Sequence, residues 1–278
     1  MLRRCLDPRV TRDQLAGPAF ERMGRGVYRV AGDDPADHGE RARHLLAGLR
    51  RPAVLAELSA AWALGVHEAG EDDDVVVIAP RPAPRSRSGL LVRECRLERD
   101  EQVRTELGWA TSPARTAVDL LRVLQPDVRA LGAAEALAHR WSLTRDDVRA
   151  QRDRRAGARG AARAARLVER LEPLAESPRE TALRLLVLDA GLPPPVPQHE
   201  VRDADGAFVA RLDLAWPDRR VALEYDGAHH RDPRQHSLDL ARHNRLRTLG
   251  WVVLQVDARV LAHPAELLRH LARLLART

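Results

Sequence analysis

Hydrophobic and polar positions change period several times along this chain. From Pro178 to Ala190, PRETALRLLVLDA carries its apolar residues at helical spacing and is stopped by Gly191 and LPPPVP. Period-two segments follow and predict strands at about 198–202, 209–216 and 221–226. A polar stretch, DGAHHRDPRQH, leads into a helix predicted over 237–249 and ended by Gly250. A strand over 251–256 and an amphipathic helix over 264–276 complete the region. The order αβββαβα predicts one mixed sheet flanked by helices.

The front of the chain is less regular. Residues 1–35 predict a short helix, a turn and a small strand or hairpin around Val27–Val30. A long apolar helix is expected over about 38–64, then strands at VVVIAP and, after RPAPRSRSG, at LLVREC. Ser112-Pro113 gives an N-cap with proline at the first helical position, and Ala117, Val118, Leu120, Leu121 and Leu124 follow at helical spacing. Helices are expected over 130–139 and 145–150, then a basic, alanine-rich stretch broken by Gly157 and Gly160. The composition shift at 172–177 divides the chain into 1–35, 36–176 and 177–278, a mixed α/β (α+β) organisation.

Composition narrows the function classes. With 44% hydrophobic and 31% charged residues and no apolar run near the roughly 20 residues of a membrane helix, a soluble globular protein is expected. The first residues lack the apolar core of a secretory signal, and Cys5 and Cys95 suggest no disulfide framework, so the expected compartment is the cytoplasm. All 46 basic residues are arginine, and the net charge is +6. A GC-rich genome accounts for most of the arginine bias, but the positive balance favours a polyanionic partner.

The candidate chemistry lies in the hairpin RLDLAWPDRRVALEYD. A two-residue or four-residue loop centred on Asp218-Arg219 puts Trp216 opposite Val221 and Asp213 opposite Glu224. Opposed residues have Cβ atoms roughly 4.5–5.5 Å apart. Asp226 shares the face of Glu224, about 6.6–6.8 Å along the strand. Like charges facing each other destabilise a hairpin, and a divalent cation such as Mg²⁺ or Mn²⁺, which takes oxygen ligands, would relieve them. The alternative is an acidic solvent-facing side of an edge hairpin. His230 has the titration range of a general acid or base, or is an ordinary loop histidine beside His229, His236 and His243. The histidine spacing does not match a zinc finger, and the cysteines lie elsewhere; the absence of a G-x-x-x-x-G-K-[ST] loop argues against an NTPase.

RLDLAWPDRRVALEYDGAHH and LDLARHNRLRTLGWVVLQV resemble a bacterial family related to the very-short-patch-repair endonucleases, within the PD-(D/E)XK nuclease superfamily. The resembling pattern uses Asp213, then Glu224, Asp226, Gly227 and His230, then Asp239 and Arg242, then Gly250-Trp251. It implies a restriction-endonuclease-like fold over 177–278, Asp213, Glu224 and Asp226 as metal ligands, and DNA as substrate. The superfamily's usual lysine falls at Asp226, and this chain has none. Glu180 sits where relatives carry a Glu on the first helix, but Ser177 and Glu180 also form a capping box. Arg242 and Arg245 are candidate phosphate contacts, or partners of Asp239 at helical spacing.

RMGRGVYRV, SAAWALGV and ATSPARTAVDL resemble the AbiEi-type antitoxin-like proteins of actinobacteria. That resemblance implies a winged-helix-like start, shortened in this chain, and adds a cognate toxin or other protein as a second partner class. Two readings follow: a Mg²⁺-dependent DNA endonuclease, or a non-catalytic DNA-binding regulator that retains the nuclease fold.

Overall fold

Glycine and proline set most element boundaries. The computed structural model describes residues 3–4, 11–24, 27–31, 37–49, 51–226 and 233–276. In chain order the front elements are β1 (Arg3–Arg4), α1 (Arg12–Ala16), β2 (Phe20–Gly24), β3 (Val27–Val30), α2 (His38–Ala47), β4 (Val54–Leu55) and α3 (Glu57–Ala63). Then come β5 (Val75–Ala79), β6 (Leu90–Glu94), β7 (Gln102–Thr105), β8 (Gly108–Thr111), α4 (Pro113–Val123), α5 (Asp127–Arg140), α6 (Arg145–Asp153) and α7 (Ala161–Val168). The last third holds α8 (Pro178–Asp189), β9 (Val196–Arg202), β10 (Phe208–Trp216), β11 (Val221–Tyr225), α9 (Pro233–Thr248), β12 (Val252–Val256), α10 (Ala258–Ala262) and α11 (Ala265–Leu275).

The fold is mixed α/β. The single helix expected over 38–64 is instead α2, β4 and α3. Gly48 caps α2, and Pro52, which lacks an N–H and has a fixed φ, follows before β4. The chain forms two compact units, Met1–Leu124 with Asp146–Glu169, and Gln125–Arg145 with Arg170–Thr278. These units do not follow the composition shift at 172–177, because α5 packs on α8. Gly132 permits that approach: a Cβ there would lie 2.9 Å from Pro178 Cβ.

In the first unit, the five-stranded sheet β6-β5-β4-β8-β7 is mixed, with β5–β6 and β4–β8 parallel. Its core holds Ala42 and Leu45 of α2 against Leu55, Val75, Val77, Leu90 and Ala110. His38, 2% exposed, lies 2.8 Å from Ser59 Oγ through Nε2, and Arg41 Nη2 approaches its Nδ1 at 3.2 Å. A guanidinium only donates, so Nδ1 accepts and Nε2–H donates to Ser59. Ser59 Oγ also accepts the Val76 N–H at 2.8 Å. This is the reverse of the polarity a serine nucleophile needs. Burial, then Arg41, lowers the His38 pKa from 6.5 to about 4.

The second unit carries a four-stranded sheet, β12-β11-β10-β9, antiparallel except for β11–β12. A parallel pair needs a crossover, and α9 supplies it. Leu183 and Val187 of α8 and Leu267, Leu271, Leu274 and Leu275 of α11 pack with Leu214, Trp216, Val221, Leu223 and Val256. Ala215 and Ala222 instead pack with Leu246 of α9. The sheet is thus mixed and flanked by helices. The expected order gains one element, the short α10, capped by Asp257. Glu135 of α5, fully buried, accepts from the Glu172 N–H, Thr181 Oγ and Arg184 Nη2. No described helix is long and apolar enough to cross a membrane.

Two outcomes follow from these buried groups. The unfolded chain protonates His38 first, so the stability due to this residue is full above about pH 6.5 and is lost as the pH falls toward about 4. The loss should reach roughly 3 kcal/mol, and the imidazole NMR signal of His38 should titrate near 4; a midpoint at or above 6 would contradict the assignment. Glu135→Ala strands the Arg184 guanidinium, 6% exposed, without its carboxylate. It should cost about 3–5 kcal/mol in urea unfolding, and a loss below about 1 kcal/mol would show that the cluster does not hold α5 to α8.

Candidate functional site

The candidate site begins at the turn between β10 and β11. Pro217–Arg219 forms one 3-10 turn, and Arg220 closes the loop with a left-handed backbone at φ 49°. Trp216 pairs with Val221, Ala215 with Ala222 and Leu214 with Leu223. This is the register expected from the sequence, reached through a four-residue loop. The antiparallel ladder ends at Leu214 and Leu223. One step further, the Tyr225 N–H donates to Asp213 Oδ2 at 2.9 Å. Asp213 and Glu224 therefore sit where the two strands stop pairing. Glu224 meets Arg242 of α9, the helix whose Leu246 packs with Leu212, Ala215 and Ala222, and Asp213 lies within the electrostatic reach of Glu224 and Arg242.

Glu224 is 7% exposed. Arg242 of α9 grips it with both arms of its fork, Nη1 to Oε1 at 3.0 Å and Nη2 to Oε2 at 3.3 Å. His243 Nε2 lies 3.5 Å from Oε2 and 3.2 Å from Gln255 Nε2 of β12. Asp213 is half-buried. Burial is the largest influence on its carboxyl and raises the pKa to about 6; the Tyr225 N–H and Arg242 lower it, while the charges of Glu180 and Glu224 raise it. Asp226 is half-buried at the end of β11, its N–H donating to the Val256 carbonyl at 2.9 Å.

Glu180 is part of the helix start and of the electrostatics together. Ser177 Oγ donates to Glu180 Oε1 at 2.8 Å and accepts the Glu180 N–H at 3.2 Å. The returning donor in this cap is the Glu176 N–H, at 3.0 Å from Oε2, rather than that of Ser177. Gln198 Nε2 adds a bond to the same oxygen at 2.8 Å. Arg245 Nη2 pairs with Asp203 Oδ2 at 2.9 Å. Arg242 of α9 pairs with Glu224 of β11, and neither arginine is turned to solvent alone. His230 and the side chain of Asp239 lie outside the described residues.

Asp213 and Glu224 offer carboxylate oxygen, the donor type that Mg²⁺ takes, and burial with like charge holds Asp213 toward its neutral form. Among the described residues, no group of three or more His, Cys, Asp and Glu side chains is placed to hold a metal ion. A cavity of about 710 Å³ in the first unit, lined by Val54, Ile78, Leu97 and Trp109 among others, holds one carboxylate, Glu94, already paired with Arg81.

No protein-family model matches the chain, and no solved structure matches it. Two curated proteins of Mycobacterium tuberculosis do: uncharacterized protein MT2308 (strain CDC 1551 / Oshkosh) and uncharacterized protein Rv2248 (strain ATCC 25618 / H37Rv). Each is 32% identical over 205 residues, which covers 72% of this chain and 73% of the relative. This chain belongs to their family. Neither name specifies an activity, so the chemistry is read from the residues themselves.

Two neighbours of the site were not singled out by the sequence. Gln198 has a left-handed backbone, φ 50°, inside β9. Its only sequence signal is its place just after the PPPVP stretch. His243 was one histidine among several, and only the fold brings it to Glu224. The like-charge field at Asp213 is directly testable. Glu180→Gln removes one negative charge and should lower the Asp213 midpoint from about 6, read from its carboxyl carbon by NMR. An unchanged or higher midpoint would remove Glu180 from the site's electrostatics.

Proposed function

We propose that the chain is a Mg²⁺- or Mn²⁺-dependent DNA endonuclease of the cytoplasm, with Asp213, Glu224 and Asp226 as the metal-holding carboxylates. The observation that carries the reading is Asp213, half-buried beside Glu224, with its acidity suppressed by burial and by the charges of Glu180 and Glu224. The spaced motifs that resemble the very-short-patch-repair-related nucleases support it. Bound there, a divalent ion would stabilise charge on a phosphate and lower the pKa of a water. Asp213 and Glu224 would anchor it from β10 and β11, and Asp226 from the strand end. Glu180, fixed by Ser177, Glu176 and Gln198, keeps the site electronegative. His230 is the candidate proton carrier.

One observation favours the second reading, a DNA-binding regulator without turnover. Both oxygens of Glu224 are engaged by Arg242, and the chain has no lysine to orient a water. A cognate toxin or other protein partner belongs to that reading, through the antitoxin-like resemblance of the front residues.

Cleavage of supercoiled, mismatched and single-stranded DNA under Mg²⁺ and Mn²⁺ separates the two. The wild type should cut, and Asp213→Asn should lower the rate on the order of 100-fold or more while binding metal-free DNA as well or better. Affinity should fall with salt at a log–log slope of roughly −0.9 per phosphate neutralised on duplex. Salt-dependent binding with no cutting under any divalent ion would make the regulator the correct reading.

A further inference from the structure

We propose that Arg242 is an internal counter-cation: it occupies Glu224 when metal is absent, is displaced when a divalent ion binds, and is then free to take a DNA phosphate. This rests on the metal-dependent reading above and adds a coupling between metal and DNA that the reading alone does not contain.

Glu224 is nearly fully buried, and a buried carboxylate needs a compensating charge. Arg242 supplies it with a two-armed contact to both oxygens. A divalent ion held by Glu224 would set a second cation beside the guanidinium that now touches both oxygens, and their repulsion would favour loss of the Arg242 contact. Arg242 is the group able to move. Its side chain is a third exposed, and its buried Nε–H meets no hydrogen-bond partner among the described residues. The guanidinium is thus incompletely satisfied where it stands and keeps donor capacity for another acceptor. A planar fork that fits a carboxylate also fits a phosphate.

The other groups around the pair do not take over the counter-charge. His243 Nε2 is 3.5 Å from Glu224 Oε2 but also meets Gln255. Asp213, on β10, adds negative charge. Arg245, one turn along α9 from Arg242, is held by Asp203. Arg242 is therefore the residue through which metal and phosphate compete or cooperate. If metal binding frees Arg242 for phosphate, DNA must tighten metal binding by the same factor.

The test is calorimetric titration of the full chain with Mn²⁺ alone, for wild type, Arg242→Met and Arg242→Gln, with Mn²⁺-dependent thermal unfolding as a second readout. Removing the competing cation should tighten Mn²⁺ binding about tenfold, and Mn²⁺ should raise the unfolding midpoint more in the variants than in the wild type. A short duplex in Ca²⁺ should bind the wild type more tightly than without Ca²⁺, and this gain should shrink in both variants. Equal or weaker Mn²⁺ affinity in the variants, with the wild type binding Mn²⁺, overturns the exchange and leaves the metal-dependent reading standing. Absence of Mn²⁺ binding and of any Mn²⁺ effect on unfolding in all three proteins overturns both. If Arg242→Met does not fold, Arg242→Gln, which keeps a polar side chain beside Glu224, decides by the same criteria.

Discussion

The register of the β10–β11 hairpin is the constraint on which the second unit depends. A strand's side chains alternate, so one residue of slip would exchange every inward and outward position. With Trp216 opposite Val221, Leu214, Trp216, Val221 and Leu223 go to α8 and α11, and Ala215 and Ala222 go to α9. The same step brings Asp213 beside Glu224. Core and site are fixed by one turn, and the turn is fixed by the 3-10 conformation of Pro217–Arg219 and the left-handed Arg220. A slip that spared the acids from each other would also expose the leucines, so the core holds the carboxylates together against their repulsion.

That repulsion is handled by different means on each acid. Glu224 has a guanidinium partner. Asp213 accepts one backbone N–H, yet burial dominates and keeps its proton affinity high. The cation beside Glu224 comes from α9, on the crossover between β11 and β12, rather than from the hairpin.

Arginine performs much of the internal work in this protein. Arg115 pairs with Glu101 and Asp119 in the first unit, Arg184 with Glu135 and Arg242 with Glu224 in the second. All three guanidinium groups meet buried carboxylates, where a planar, always-charged fork suits the site better than a point charge. These internal pairs cancel arginine against acid and leave the net charge of +6 as it is.

Local rules in the sequence determined a good deal. Two-residue alternation and the polar turn gave the hairpin register; Ser177-Pro178 and Glu180 marked the start of α8, and Gly250 the end of α9, because caps and periods act over one or two turns of chain. The carboxylates were legible for the same reason, being neighbours across a short loop. Tertiary structure alone decided what those carboxylates meet. Arg242 and Glu224 are brought together by the crossover that a parallel strand pair requires, and helical spacing pointed Arg242 at Asp239 instead. Likewise α5 joins the second unit through Gly132 against Pro178 and Glu135 against Arg184, contacts between residues more than forty positions apart. No local pattern encodes such pairs: they form when separate elements bury their apolar faces on one sheet, and the polar groups carried along must then find partners wherever the packing has put them.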